Sequence, residues 1–367
     1  VGWYIHEVMR RMVLRHPDDQ FFFLFDRPFD PQFVYAPNVT PLVLFPPARH
    51  PILFRIWFEW AVPRALRRHG AELFFSPDSL CSLRSKVPTV MTCHDLAPLH
   101  HPEQLKPAHR NYYPKMLPRF LRRADHILTV SDYVRQDIAQ TCGIPLDKIT
   151  TVHNGCRDIF QPLQDLEKQK VREKYADAAP FFFYTGAIHP RKNIPRLLRA
   201  FDRFKDSSGA AAKLLLAGRF GWETGPVTEA YEQARHRADI RFLGYLEDGE
   251  LARLMASAQA LCYLSTNEGF GLPMVEAMRC GTPVLAANAS CLPEIAGDAA
   301  LLVDPLSEEA IAAGLAKLHS DTAFAAQLVE KGQRQAQHFS WDRAADAIYE
   351  VLRSQFFLKH EATKSQS

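Results

Sequence analysis

The chain has 367 residues, of which 47% are hydrophobic and 23% charged, with a formal net charge of +3. That length suits two domains better than one, and the composition excludes long disorder except in the polar tail after Lys359. The charge is too small to argue for a nucleic-acid partner.

Residues 1–15 read as a helix, because Ile5, Val8, Met9, Met12 and Val13 keep one apolar face. A strand normally opens a protein of this kind, so further residues ahead of Val1 are expected. A short apolar run at 21–25 is closed by Pro28, and 53–68 has a helical period. Residues 73–75, 89–92 and 127–130 read as buried strands. Ser131 or Asp132 can then cap a helix running to about Cys142, with Gly143 just past its end. A strand at 149–152 and the turn Asn154-Gly155 close this half.

Residues 156–170 lose the pattern, carry Pro162 and then a charged stretch, and are expected to be the linker. Beyond them the alternation is clearer. Strands are expected at 181–185, 213–217, 240–243, 260–264, 284–286 and 301–303. Helices are expected at 194–204, near 227–237, at 250–257 and at 273–279. Three late helices follow, at about 308–318, 322–338 and 341–357. Such alternation implies parallel sheets covered on both faces. The expected fold class is therefore α/β, with two doubly wound, Rossmann-like domains facing a cleft. Residues 1–160 form the first, completed by a C-terminal helix at 341–358, and residues 170–340 the second. Ligands then belong at the carboxyl ends of the strands.

The seven cysteines form no C-x-x-C pair, and several lie in apolar runs such as Ala260-Leu261-Cys262-Tyr263. They are expected to be buried, reduced thiols of a cytoplasmic protein rather than a metal site or disulfide framework. No apolar run approaches the ~18 residues of a spanning helix.

The most specific segment runs from Ser265 to Met278, through Glu268-Gly269-Phe270-Gly271-Leu272-Pro273 to Glu276. It follows a buried strand and opens a helix. Gly269 and Gly271 let the backbone pass close to a ligand, and Pro273 suits a first helical turn. The free N–H groups of that turn favour an anion. Two carboxylates around such a loop can accept hydrogen bonds from sugar hydroxyls. The alternative is that both merely stabilise a helix N-terminus.

This segment resembles the signature of retaining glycosyltransferases of family 4, which have the GT-B fold and two glutamates with seven residues between them, here Glu268-x7-Glu276. The resemblance extends over nearly the whole chain. It continues in Cys280-Gly281-Thr282-Pro283-Val284, Leu292-Pro293-Glu294-Ile295 and Leu302-Val303-Asp304-Pro305. It implies that Glu276 holds the ribose of a nucleotide, while Glu268 and the loop Gly269-Phe270-Gly271-Leu272 meet the transferred sugar. A second segment, Gly186 to Asn193, carries Arg191 and Lys192 at a strand end. Fixed cations there would stabilise a departing diphosphate. The family pattern has an arginine where Ala187 stands, so Arg191 must supply the second cation. Gly218-Arg219 and Gly244-Tyr245-Leu246 put glycines just past two further strands and are expected to line the nucleotide pocket. Each is also compatible with an ordinary turn, and Arg219 with an exposed charge.

In the first half, Thr92-Cys93-His94-Asp95 ends a strand where the family often has His-Asp near the sugar and the acceptor. His94 can hydrogen-bond a hydroxyl or carry a proton, or be tied to a loop carbonyl. Asp95 can orient it or cap the next turn. Ser131 and Asn154 resemble other positions facing the acceptor side, with cap and turn readings equally open. Gly2 is a candidate remnant of a glycine loop facing the donor phosphates.

The resemblance implies a retaining, metal-independent hexosyltransferase, with mannosyl transfer a common activity in similar chains. It would act in surface polysaccharide biosynthesis on a nucleotide-sugar co-substrate, without cofactor or metal. The acceptor would be a saccharide or lipid-linked saccharide. Basic, aromatic helices at 55–68 and 109–123 suit peripheral contact with the inner face of a membrane or ordinary packing against a core. The alternatives are a non-catalytic nucleotide-sugar-binding subunit and an NDP-sugar epimerase on the same fold. A dinucleotide oxidoreductase is excluded by the lack of a Gly-x-Gly-x-x-Gly turn.

Overall fold

The computed structural model describes residues 2–48, 50–221 and 224–364, with side chains as far as Phe357. It divides into two compact units: residues 1–155 with 340–367, and residues 156–339.

The first unit opens with α1 (Gly2–Arg15), then β1 (Phe21–Phe25) and β2 (Val39–Val43), which pair in parallel as a separate two-stranded sheet. The second of these strands was not expected, since Pro41 interrupts it. β2 is paired on one side only, where the missing N–H of Pro41 costs nothing. The expected helix at 53–68 is α2 (Pro51–Ile56) and α3 (Val62–Arg68), joined by a π-turn at Trp57–Ala61. Pro63 accounts for the turn. It has no N–H to offer the preceding turn, and the Val62 N–H reaches back five residues to the Trp57 carbonyl.

The main sheet of this unit is parallel and ordered β3 (Phe74–Ser76), β4 (Thr89–Cys93), β5 (His126–Thr129), β6 (Ile149–Thr151). Between these strands lie α4 (Ala97–His100), α5 (Pro107–Arg110), α6 (Tyr113–Arg123) and α7 (Asp132–Cys142). Ser131 caps α7 by accepting from the Val134 N–H, and Gly143 ends it at φ 65°. The core under the sheet gathers Val62, Leu66, Met91, Leu121, Ile127 and Ile138.

The second unit opens with α8 (Asp165–Ala176), which corrects the linker expected at 156–170. The charged run that looked like linker is a surface helix held by two buried contacts, Val171 and Ala176, too few to show an apolar period. The sheet is parallel and six-stranded, ordered β12-β11-β10-β7-β8-β9. The strands are β7 (Phe181–Thr185), β8 (Lys213–Ala217), β9 (Ile240–Gly244), β10 (Ala260–Tyr263), β11 (Val284–Ala287) and β12 (Leu301–Val303). This is the doubly wound order, with its switch point between β7 and β10.

The strands are linked by α9 (Ile194–Ser208), α10 (Gly225–Glu232), α11 (Asp248–Ser257), α12 (Leu272–Arg279) and α13 (Leu292–Ala296). The helix expected near 227–237 thus ends at Glu232. α14 (Glu308–Ser320) and α15 (Thr322–Ala336) complete the unit, and Phe182, Phe201, Leu214, Leu216 and Leu315 lie in its core.

The last helix, α16 (Trp341–Lys364), belongs to the first unit and continues through the start of the polar tail. Arg11 and Arg15 of α1 pair with Asp342, and Arg15 also with Asp346. Tyr349 stacks on His16 and donates to Asp19 Oδ2 at 2.7 Å. Among the described residues no helix is long and apolar enough to cross a membrane. All seven cysteines are buried and unpaired.

Candidate functional site

In the second unit, β7 and β10 flank the switch point, and the loops leaving their carboxyl ends carry the two most specific sequence segments. After β7 the chain makes a tight turn at Pro190–Lys192, closed by Asn193 at φ 59°. Asn193 is pinned by its side-chain amide, which donates to the Pro305 carbonyl at 2.6 Å. After β10 the loop is tied to that turn, since the Thr266 N–H donates to the Arg191 carbonyl at 2.9 Å.

This zipper brings Lys192 and Glu268 together. Lys192 is buried, its Nζ ion-paired with Glu268 Oε1, and it donates to the Tyr263 hydroxyl at 3.1 Å. Burial alone would raise the Glu268 pKa, but Lys192 and then Arg191 outweigh it and hold the carboxyl below its usual value. The site therefore contains a fixed carboxylate beside two cations. Glu268 is further placed by its own N–H, which donates to Ser290 Oγ at 3.2 Å.

Gly269 and Phe270 are buried, and the Phe270 ring packs edge-on against Phe339 at 5.5 Å. Gly271 precedes α12 at φ 88°, and a Cβ there would lie 2.8 Å from Leu292 Cδ2. Leu272 is half-buried. Glu276 sits on α12, buried, and makes a different partnership from Glu268. Its Oε1 lies 3.4 Å from Arg157 Nη2. Its pKa is raised to about 7, the net of burial pushing it up, Arg157 pulling it down and Asp248 pushing it up.

The glycines after the other strands have a backbone reason. The Gly186 N–H donates to the Ala217 carbonyl at 3.0 Å, and the Gly218 N–H to the Gly244 carbonyl at 2.7 Å. Gly186 and Gly218 have φ of 140° and 148°, and a Cβ on Gly218 would overlap the Gly186 carbonyl oxygen. Those two N–H groups are thus spent within the protein, and what the glycines offer a ligand is space. Gly244 is also left-handed, at φ 69°. Arg219 and Tyr245 are exposed, with the guanidinium 4.4 Å from the ring centroid, beside half-buried Leu246.

In the first unit, the candidates follow consecutive strands of the main sheet: His94 and Asp95 after β4, Ser131 after β5 and Asn154 after β6. His94 Nε2 lies 2.9 Å from the Pro77 carbonyl, so the loop-carbonyl reading applies to that nitrogen. A carbonyl only accepts, so Nε2 carries the proton. Burial lowers the pKa of the ring, and the neutral form leaves Nδ1 as an acceptor. The Tyr4 ring packs edge-on against it at 4.7 Å, and the Tyr4 hydroxyl is 3.0 Å from Thr92 Oγ1. Asp95 caps the next turn through the Ala97 N–H at 3.0 Å. Ser131 serves as the α7 cap. Asn154 is buried and its Oδ1 has no hydrogen-bond partner among the described residues. Gly2 stands at the head of α1, with open space around it.

Sequence reasoning missed Arg157, Asp248 and Tyr263. A carboxylate as buried as Glu276 calls for a cation, but nothing in the sequence says which of the 44 lysines and arginines supplies it. Among the described residues no three His, Cys, Asp or Glu side chains are grouped so as to hold a metal ion.

Residues 165–335 match the family described as glycosyl transferases group 1, and residues 1–158 match glycosyltransferase family 4. The chain is 35% identical over 279 residues to O-antigen chain mannosyltransferase B of Escherichia coli, covering 76% of this chain and 73% of that protein. It is 26% identical over 280 residues to O-antigen chain mannosyltransferase RfbU of Salmonella typhimurium, covering 75% and 73%. In fold it is similar to sucrose-phosphate synthase from Thermosynechococcus elongatus, with a TM-score of 0.77, 19% identity, and 95% and 92% of the two chains covered.

Proposed function

The chain belongs to the group 1, family 4 glycosyltransferases, with the GT-B fold of two Rossmann-like units, and from that we propose that it transfers mannose from a nucleoside diphosphate to a growing surface polysaccharide. The acceptor in this reading is a saccharide or lipid-linked saccharide, transfer retains the anomeric configuration, and no metal takes part. The observation that carries the reading is the Lys192–Glu268 pair between the loops of β7 and β10. Mannose is favoured because similar proteins bear that activity in their names; GDP-mannose is the first donor to test.

In this reading Lys192 and Arg191 take the charge of the departing diphosphate, with the first-turn N–H groups of α12. Lys192 exchanges its contact with Glu268 for phosphate oxygens, and Glu268 accepts from a sugar hydroxyl. Glu276 accepts from the ribose hydroxyls. The bond from the anomeric carbon to the phosphate oxygen breaks, and the acceptor oxygen bonds to the same face of that carbon. Its proton passes to the phosphate oxygen that leaves. His94, Ser131 and Asn154 serve the acceptor, His94 through unprotonated Nδ1 and Asn154 through its unpartnered Oδ1.

We also place the acceptor at a membrane surface. Ile52, Ile56 and Trp60 are exposed at intervals of four along α2 and the π-turn, with Arg55, Arg64, Arg67 and Arg68 exposed beside them. Basic and aromatic side chains on one exposed rod suit an anionic bilayer. The second basic helix, α6, does not share this feature, since Leu117, Phe120 and Leu121 are buried and Tyr112 and Tyr113 pack on the core.

The deciding experiment incubates the protein with radiolabelled GDP-, UDP-, ADP- and dTDP-sugars in EDTA, with a bacterial lipid extract as acceptor. Mannose transferred from GDP-mannose with retained configuration supports the proposal. Binding without turnover would favour a non-catalytic subunit, and activity only with added metal would overturn the metal-free mechanism.

A further inference from the structure

Arg157 is the second residue of the second unit and lies in a segment, 156–164, that has neither helix nor strand. Its side chain is only 12% exposed, with Nη1 2.8 Å from Asp248 Oδ2. Nη2 lies 3.4 Å from Glu276 Oε1, and the guanidinium carbon is 4.9 Å from the centroid of the Phe160 ring. From α12, Arg279 reaches back to the same segment, donating to Asp158 Oδ1 at 2.6 Å and to the Cys156 carbonyl at 3.4 Å. Two arginines thus tie residues 156–158 and α12 together in opposite directions, and Arg157 is gripped from three sides.

We propose that Arg157 is a positioning residue for nucleotide recognition, keeping the Glu276 carboxylate ionised and aimed so that it accepts from both hydroxyls of a ribose. This rests on the reading of Glu276 as the ribose residue.

A carboxylate that takes two hydroxyl hydrogen bonds must be ionised, because a protonated one offers a donor where an acceptor is needed. Burial works against ionisation at Glu276, and Asp248 adds to it; Arg157 is the cation that opposes them. The Cys156 and Cys280 thiols lie near this carboxyl but bring no charge to it, since burial first and the Glu276 charge after it hold both neutral. Asp248 draws Arg157 more closely than Glu276 does. That geometry anchors the guanidinium while leaving Glu276 loosely held, free to engage a ligand. A lysine would supply the charge but not the fork that spans two carboxylates.

The test is calorimetric titration of the full chain with GDP, UDP and ADP and with their 2′,3′-dideoxy analogues, across pH ~5.5 to ~9. The nucleotide bound most tightly by the wild type is then followed in R157Q, R157K and E276Q. R157Q is expected to weaken the ribonucleotide about tenfold or more and to leave the dideoxy analogue nearly unchanged. Ribonucleotide affinity falls as the pH drops through the Glu276 pKa, and R157Q is expected to move that fall to higher pH. R157K should keep the pH midpoint near that of the wild type but lose part of the discrimination. Equal weakening of both ligands, or an unmoved pH midpoint, would reduce Arg157 to a structural role. Should R157Q fail to fold, R157K decides, since an unchanged ratio of ribose to dideoxy affinity overturns the proposal. If E276Q still discriminates ribose from dideoxyribose, or if the wild type binds no nucleotide, the ribose reading itself is wrong.

Discussion

Lys192 and Glu268, 76 residues apart in the chain, form a buried ion pair whose other side is closed by the Tyr263 hydroxyl. Neither charge is at rest without the other, since each would otherwise be desolvated and uncompensated. Lys192→Ala should therefore have two effects. Turnover at saturating donor should fall by ~10²–10³, the usual scale for losing one fixed transition-state contact. The stranded carboxylate should also lower stability, by ~3–5 kcal/mol as for other broken buried pairs. Steady-state kinetics and denaturant unfolding measure the two separately. The double variant with Glu268→Gln should recover part of the stability but none of the turnover; simple additivity in both would show that the residues do not act as a unit.

Glu276 should make stability depend on pH in the direction opposite to an ordinary surface carboxylate. Its pKa rises from 4.5 to about 7 on folding, so the folded state binds more protons between those values. Its contribution is then fully present below about 4.5, and is lost as the pH rises through about 7. Glu276→Gln should raise the melting temperature at pH ~8 while weakening nucleotide binding. Melting curves of both proteins at several pH values check this. A variant less stable than the wild type at high pH would mean that the ionised form is better compensated than the Arg157 contact alone provides.

Gly218→Ala should be among the most damaging small substitutions in the second unit. The added Cβ meets the Gly186 carbonyl oxygen, and the φ of 148° is strained for any side chain. A loss of ~3 kcal/mol or more is expected from the clash and strain combined. Urea unfolding of the purified variant, or its failure to accumulate in soluble form, gives the answer. Gly244→Ala, with the same handedness but no nearby atoms, should lose ~1–2 kcal/mol through strain alone.

Trp60→Glu should separate membrane contact from catalysis. Trp60 is 64% exposed, so the substitution removes little buried packing. Sedimentation with vesicles containing anionic lipid is expected to drop severalfold, while turnover on a water-soluble acceptor stays within about twofold. Equal sedimentation of variant and wild type would move the docking surface elsewhere.

Much of the candidate site was legible because its parts are local in sequence. A glycine loop, a proline at the first helical turn and two acids with seven residues between them all sit on one strand-to-helix junction. The same holds for the α7 caps, where Ser131 and Gly143 bracket an apolar period. Where the reading failed, local signals misled it. Pro41 hid an edge strand that tolerates proline, and the charge of residues 165–176 hid a helix with only two buried side chains.

By itself, the sequence determined most of the order of elements, the parallel α/β class, the family, and which short segments are candidates for the chemistry. Periodicity and turn chemistry are properties of neighbouring residues, and the chain displays them without folding. Tertiary structure alone decided which charges meet: Lys192 with Glu268, and Arg157 with Glu276 and Asp248. It also decided that Gly218 is a glycine because it runs against the Gly186 carbonyl, and that α6 turns its aromatics inward while Trp60 faces out. These are relations between distant segments, set by sheet order and helix packing, and burial turns them into energies by removing the water that would otherwise screen them.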